Sequence, residues 1–251
     1  MPFGLTPGIA LALACALLGA AYVRGYAGFG FAAIFLACAA LVTNPVPLIP
    51  VVFICEILMT VVQIRDIHAQ ILWRQVLAML AGAALILPVA VGVILSLGDD
   101  SARLAVSLIV GAASLLLLSG WTIRRAIGLP GFAGVGVVSG LCNAAGVGGL
   151  PVAAFLAAQP IAAPAFRATM IVYVTGIEIL TLPLLAWGGM ISGQTAIGVA
   201  FALPILVLGL TAGSRRFAAT SPATFRRMAV LLLLALSAAG ILRALLPGAG
   251  S

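Results

Sequence analysis

Residues 24–30 read Arg24-Gly25-Tyr26-Ala27-Gly28-Phe29-Gly30, and they interrupt an apolar stretch that runs from residue 5 to residue 44. One membrane-crossing helix needs about 20 apolar residues, so this stretch is too long for a single crossing and reads as two helical pieces joined at the glycines. A second overlong stretch, 131–158, is broken in the same way by Asn143-Ala144-Ala145-Gly146-Val147-Gly148-Gly149. Apolar runs of ordinary length occupy 48–64, 75–97, 104–123, 170–191, 195–214 and 228–246. Backbone that is irregular at membrane depth must be buried in protein or line a wet cavity. The two breaks therefore mark the interior of the molecule.

The rest of the composition agrees with a helical membrane protein. Of 251 residues 64% are hydrophobic and only 7% are charged, whereas a soluble domain carries about 25% charged residues. Soluble enzymes are excluded on that ground. A transmembrane β-barrel would alternate in polarity over segments of about ten residues, and here the apolar runs are continuous. The net charge of +7 comes from 12 arginines that fall mostly between apolar runs, where they act as topology signals and not as a nucleic-acid surface. Cys15, Cys38, Cys55 and Cys142 form no C-x-x-C pair and sit in apolar segments, so neither a disulfide nor a metal site is expected. The first apolar stretch lacks a basic leader, and residues 1–24 are expected to stay in the mature chain.

The second half repeats the first. Thr6-Pro7-Gly8 returns as Leu129-Pro130-Gly131, Gly28-Phe29-Gly30 as Gly146-Val147-Gly148, Glu56-Ile57-Leu58 as Glu178-Ile179-Leu180, and Arg103 as Arg226, at a shift of 118 to 123 residues. Order and near-constant offset point to a tandem duplication, with a first membrane repeat at 1–125 and a second at 126–251.

Arginine placement discriminates between topologies. If each broken stretch crosses once, Arg65, Arg74, Arg124, Arg125 and Arg243 face one side and Arg103, Arg167, Arg215, Arg216, Arg226 and Arg227 the other, with no bias. If each doubles back at its glycines, nine arginines share one side and only Arg103 and Arg243 lie opposite. The positive-inside rule selects the second arrangement. It gives an all-α polytopic membrane protein of two inverted repeats, about five helical segments each, with glycine-broken helices or hairpins, both chain ends outside, and loops 65–74, 124–130, 159–169 and 215–227 in the cytoplasm.

Paired broken helices in inverted repeats are the sequence pointer to a secondary transporter. Glycines at such breaks let backbone N–H groups and half-helix N-termini face an anion; they also permit close helix packing. Neither cluster is a nucleotide loop, since Gly25-x-x-Gly28-x-Gly30 has the wrong order and the chain has no lysine for a P-loop. No cofactor is expected.

Glu56 and Glu178 are the carboxylates inside apolar spans, at matching repeat positions. Intramembrane carboxylates are functional candidates by default, because a carboxyl group removed from water holds its proton more readily; either could carry a coupling proton, or serve as a structural hydrogen-bonding partner or a counter-ion to Arg24 or Arg167. Arg24 and Arg167 suit bidentate recognition of an oxyanion, or anchor the topology. Tyr26, Asn143 and Tyr173 can donate hydrogen bonds nearby. The candidate substrate-binding set is Arg24, Gly25, Tyr26, Gly28, Phe29, Gly30, Asn143, Gly146, Gly148, Gly149, Pro151 and Arg167. An intramembrane enzyme is the competing class, but around Ser139 neither the lone His68, in a loop, nor any lysine supplies a base.

These motifs together resemble the TauE/SafE family of membrane permeases, the sulfite exporter family. Arg24 to Gly30 is similar to its R-G-[FY]-x-G-F-G signature, Gly146-Val147-Gly148-Gly149-Leu150-Pro151 to its G-x-G-G-P-P, and Phe166-Arg167-Ala168-Thr169 to its [FL]-R-A-[TS]. Trp73-Arg74 and Ser221-Pro222 through Phe225-Arg226-Arg227 also fit, and the likeness covers nearly the whole chain. It implies transport, usually export, of sulfite, sulfonates or related small organosulfur anions across the bacterial inner membrane, with an anion channel or an uptake permease as the alternative. The partners implied are a small anion, the lipid bilayer and protons. Leu150 stands where the family often has proline, which alters the loop at the second break.

Overall fold

The computed structural model describes residues 6–39, 42–96, 127–144 and 146–221, with the isolated positions 224 and 231. The spans read at 104–123 and 228–246, together with Arg103, Arg124, Arg125, Arg226, Arg227 and Arg243, lie outside the described residues, as does Ala145 in the second break.

Eight α-helices make up the described chain: α1 (Pro7–Ala27), α2 (Phe31–Ala39), α3 (Ile49–Ile67), α4 (Trp73–Ser96), α5 (Leu129–Asn143), α6 (Gly149–Ala157), α7 (Ala163–Trp187) and α8 (Gly193–Ala218). Local chemistry starts them where it should. Thr6 caps α1 with Pro7 in its first turn, and Ser192 with Thr195 forms a capping box on α8. Proline opens α3, α5 and α7, where its missing N–H costs nothing. Stretches around α1, α3, α4, α7 and α8 are each long and apolar enough to cross a membrane. Large apolar side chains such as Leu11, Val61, Leu85, Trp187, Phe201 and Leu208 are exposed, as a lipid-facing surface requires. The protein is an all-α, multi-pass membrane protein.

The glycines break the long stretches because backbone there takes a conformation that other residues resist. Gly28 and Gly30 have φ of 84° and 91°, and Gly146 has 75°. After each break the chain doubles back. Phe155, near the end of α6, packs edge-on to Phe132 at the start of α5, ring centroids 5.1 Å apart, so α5 and α6 form a helical hairpin.

Contacts give each helix its direction. Thr60 of α3 meets Thr175 of α7, and Ile67 clusters with Ala168 and Ile171, so α3 and α7 are antiparallel. Arg24 of α1 reaches Ile171 and Thr175 while Gly28 lies against Arg167, so α1 is also antiparallel to α7. α4 runs parallel to α7, since Leu72 bonds Thr169 and Leu80 packs on Gly176. Glycine seams join α1 to α8 and α4 to α5: Gly209 and Gly213 lie against the backbone at Leu18, Tyr22 and Tyr26, and Gly136 and Gly140 against that of Met79 and Ala83. Both seams are parallel, and both use the small residues that let membrane helices approach closely. Thus α1, α3 and α8 run one way and α4, α5 and α7 the other. Contacts also pair off between the halves, α1 with α8 as α5 with α4, and α3 with α8 as α7 with α4.

Arg65, Arg74, Arg167, Arg215 and Arg216 consequently lie at one end of the bundle, an arrangement that eight simple crossings would forbid. One boundary differs from the sequence reading. The span read as 170–191, after a loop at 159–169, is a helix from Ala163, because Arg167 finds partners inside the bundle and the helix can include it.

Candidate functional site

The N-terminal ends of the two short helices open on one cleft. Gly30, Ala32 and Ala33 of the first break and α2 face Gly146, Gly148, Gly149 and Leu150 of the second break and α6. Glu56, Asn143, Val147, Val174 and Glu178 complete the lining, and the cavity is small, about 20 Å³. First-turn N–H groups of a helix lack intrahelical acceptors and carry the positive end of its dipole, so two such ends on one space favour an anion.

The carboxyl groups work against that field. Glu56 and Glu178 are both 1% exposed and lie against each other, close enough for a carboxyl–carboxyl hydrogen bond. Such a bond needs a proton on one of them. Oε2 of each is buried and receives no hydrogen bond from a neighbouring donor group.

Arg24 sits behind this wall, toward the arginine-rich end. It is fully buried, with Nε 3.7 Å from Glu56 Oε1. Nη1 donates to the Gly28 carbonyl. Nη2 donates to Thr60 Oγ1 at 3.0 Å, and Ile171 O and Thr175 Oγ1 lie at 3.4 and 3.5 Å. The Thr60 and Thr175 hydroxyls are themselves 2.6 Å apart. Arg24 therefore ties the first break to α3 and α7, and its terminal nitrogens are spent on protein acceptors.

A further layer lies beyond it. Arg167 donates from Nε and Nη2 to the Gly25 carbonyl, at 3.0 and 2.5 Å, and from Nη2 to Ser214 Oγ at 3.1 Å, with its guanidinium 4.6 Å from the Phe217 ring centroid. Gln63 Nε2 donates to the same Ser214 hydroxyl. Tyr26 packs edge-on to Phe217 and Phe29 to Phe166, so these aromatic rings belong to the wall and not to the cleft.

The second break is held by neutral groups. Tyr173 O–H donates to Ser139 Oγ at 2.7 Å, and Ser139 donates to the Gly148 carbonyl at 2.6 Å. Asn143 Nδ2 donates to Thr181 Oγ1 at 2.9 Å. Leu150 N–H donates to the Val147 carbonyl at 3.2 Å, a bond that a proline in its place would not make.

Of the residues singled out from the sequence, Gly30, Glu56, Asn143, Gly146, Gly148, Gly149 and Glu178 line the cleft. Arg24, Gly25, Tyr26, Gly28, Phe29 and Arg167 stand behind it, and Pro151 is buried in the first turn of α6. Sequence reasoning passed over Thr60, Thr175, Gln63 and Ser214, and it weighed Ser139 as an enzyme nucleophile, not as a clamp on the second break. Thr60 follows Glu56 by four residues and Thr175 precedes Glu178 by three, the spacings of one helix face, and that was the signal for two of them.

The family model of the sulfite exporter TauE/SafE matches residues 12–240. The chain belongs to the TauE/SafE family. Neither a curated protein nor a solved structure matches it. The TauE/SafE match takes in both glycine breaks, both glutamates and every residue of the cleft.

Proposed function

We propose that this protein is a proton-coupled carrier that exports sulfite or a related small organosulfur anion across the bacterial inner membrane. The observation that carries this reading is the convergence of two half-helix N-termini and two touching carboxyl groups on one cleft. The N-termini attract an anion. An ionised carboxylate beside it repels one, so the anion enters most readily when the pair has taken up a proton.

We further propose two inverted repeats, 1–125 and 126–251, rocking about this cleft. Support comes from the helix directions: α1, α3 and α4 each run opposite to α5, α7 and α8, their counterparts in order. Inversion of this kind lets one repeat adopt the other's conformation, which is the basis of alternating access.

Magnitudes favour the outward direction for a dianion. Leaving with one proton, it carries one net negative charge, driven by about 2.3 kcal/mol per 100 mV of inside-negative potential. An opposing gradient of one pH unit costs only about 1.4 kcal/mol. Purified protein in liposomes tests the reading: sulfite flux should respond to an imposed pH gradient at clamped potential. Flux of sulfite without any response to pH would favour a channel, and no flux of sulfite or of any sulfonate would defeat the substrate assignment.

A further inference from the structure

We propose that Arg24 is a positioning residue that couples the charge of the Glu56–Glu178 pair to the geometry of the first break, so that the first break is the moving gate and the second is the fixed one. This rests on the reading of the cleft as a proton-loaded anion site, and it assigns unequal roles to two breaks that the sequence presents as equivalents.

The two breaks are held by different chemistry. At the first, the Gly28 carbonyl accepts from the Arg24 guanidinium, fully buried with Glu56 as its ion-pair partner at 3.7 Å, and the Gly25 carbonyl accepts from Arg167. At the second, the acceptor is the Gly148 carbonyl and the donor is the Ser139 hydroxyl, backed by Tyr173. A buried cation depends on its counter-ion, and removing one partner of such a pair leaves an uncompensated charge that the surroundings must relieve. A chain of neutral hydroxyls has no such dependence.

Neutralising Glu56 therefore strips the counter-ion from Arg24. Its Nε already lacks a hydrogen-bond partner, so with the carboxylate gone the guanidinium must draw in either water or the substrate anion. Either movement pulls on the Gly28 carbonyl that it holds. Gly28 and Gly30, both at positive φ, supply the backbone freedom for the shift. Proton loading, arrival of the anion and release of the first break become one event.

The groups around the pair sharpen this. Arg24 comes from α1, Cys55 neighbours Glu56 on α3, and Glu178 comes from α7; Arg167, also from α7, lies near Arg24 with Asp66 close to it. The first break, α2, α5 and α6 bring only glycines, apolar side chains and Asn143 to the cleft. Arg24 is thus the cation beside the pair that also bonds a break.

Hydrogen–deuterium exchange on the full chain in lipid nanodiscs tests the proposal without relying on transport. Two peptides are compared, one covering Gly25–Ala33 and one covering Ala144–Val152, in the wild type across pH, after correction for intrinsic exchange, and in Glu56→Gln at neutral pH. Lowering pH, or Glu56→Gln, is expected to speed exchange of the first peptide about tenfold and leave the second unchanged. Tyr173→Phe is expected to do the reverse, loosening the second peptide at every pH. Equal loosening of both breaks, or loosening of neither, overturns the proposal. Should Glu56→Gln not fold, the wild-type pH series decides alone. Flux of sulfite in liposomes fails or succeeds separately, so loss of the substrate assignment would not be confused with loss of the latch.

Discussion

The hydroxyls of Thr60 and Thr175 meet at 2.6 Å, and together they seat one end of the Arg24 guanidinium between α3 and α7. Each hydroxyl can accept from the guanidinium while one donates to the other, so the pair serves the Nη2 end of a fully buried cation.

Replacing either threonine by valine keeps the shape and removes an acceptor from a buried charge. Thr60→Val and Thr175→Val should each destabilise the protein by about 1–3 kcal/mol. Because the two hydroxyls and Arg24 act as one network, the double variant should cost less than the sum of the singles. Thermal unfolding in detergent measures this; strict additivity would mean that the hydroxyls act independently.

The glycines on the cleft should be intolerant for two different reasons. At Gly30 the backbone is at φ 91°. At Gly148 a Cβ would come within 2.6 Å of Asn143 Oδ1. Gly30→Leu and Gly148→Leu are expected to lower flux about tenfold or more while the protein still inserts. Normal flux from either well-expressed variant would show that the glycines merely pack.

Glycines in the seams should fail differently. A side chain at Gly136 would run into the backbone of Met79, and one at Gly213 into that of Tyr22. Gly136→Leu and Gly213→Leu should reduce folded yield, with a loss of about 1–3 kcal/mol or more from forced separation of the helices. Size-exclusion profiles and thermal melts would reveal it, and wild-type melting of either variant would contradict the packing described.

Much of this arrangement is carried by local pattern. Twenty-residue apolar runs and the glycine clusters announce the helices and the doubling back, because in a bilayer a segment's composition alone decides where it crosses. Glu56 and Glu178 stand out for the same reason. What the pattern lacks is the identity of partners far along the chain. Arg24 and Arg167 look alike as cations suited to an oxyanion, yet one pairs with Glu56 on α3 and the other with the Gly25 carbonyl and Ser214. Ser139 reads from the sequence as a nucleophile without a base, and only folding brings Tyr173 to it. The early start of α7 escaped notice because an arginine reads as a loop until its acceptors are known.

Topology can be read chemically at two loops. Exposed Ala69 lies at the arginine-rich end and exposed Ile191 at the other. Cysteines placed there should be labelled by an impermeant reagent from the cytoplasm and from the outside respectively, and a reporter fused at Ser251 should report outside. A cytoplasmic Ser251 would sink the inverted-repeat arrangement.

The proposed coupling assigns to the Glu56–Glu178 pair the proton that accompanies the anion. Its most direct test is sulfite flux in proteoliposomes at clamped potential, with and without a pH gradient, for the wild type, Glu56→Gln, Glu178→Gln and the double variant. An amide mimics the neutral carboxyl group and cannot exchange a proton. The wild type should move sulfite faster when the pH gradient drives protons the same way as the anion and slower when it opposes, and at least one single variant, together with the double variant, should still move sulfite yet ignore the gradient. Retention of the full wild-type response to pH in both single variants and the double variant would contradict the account.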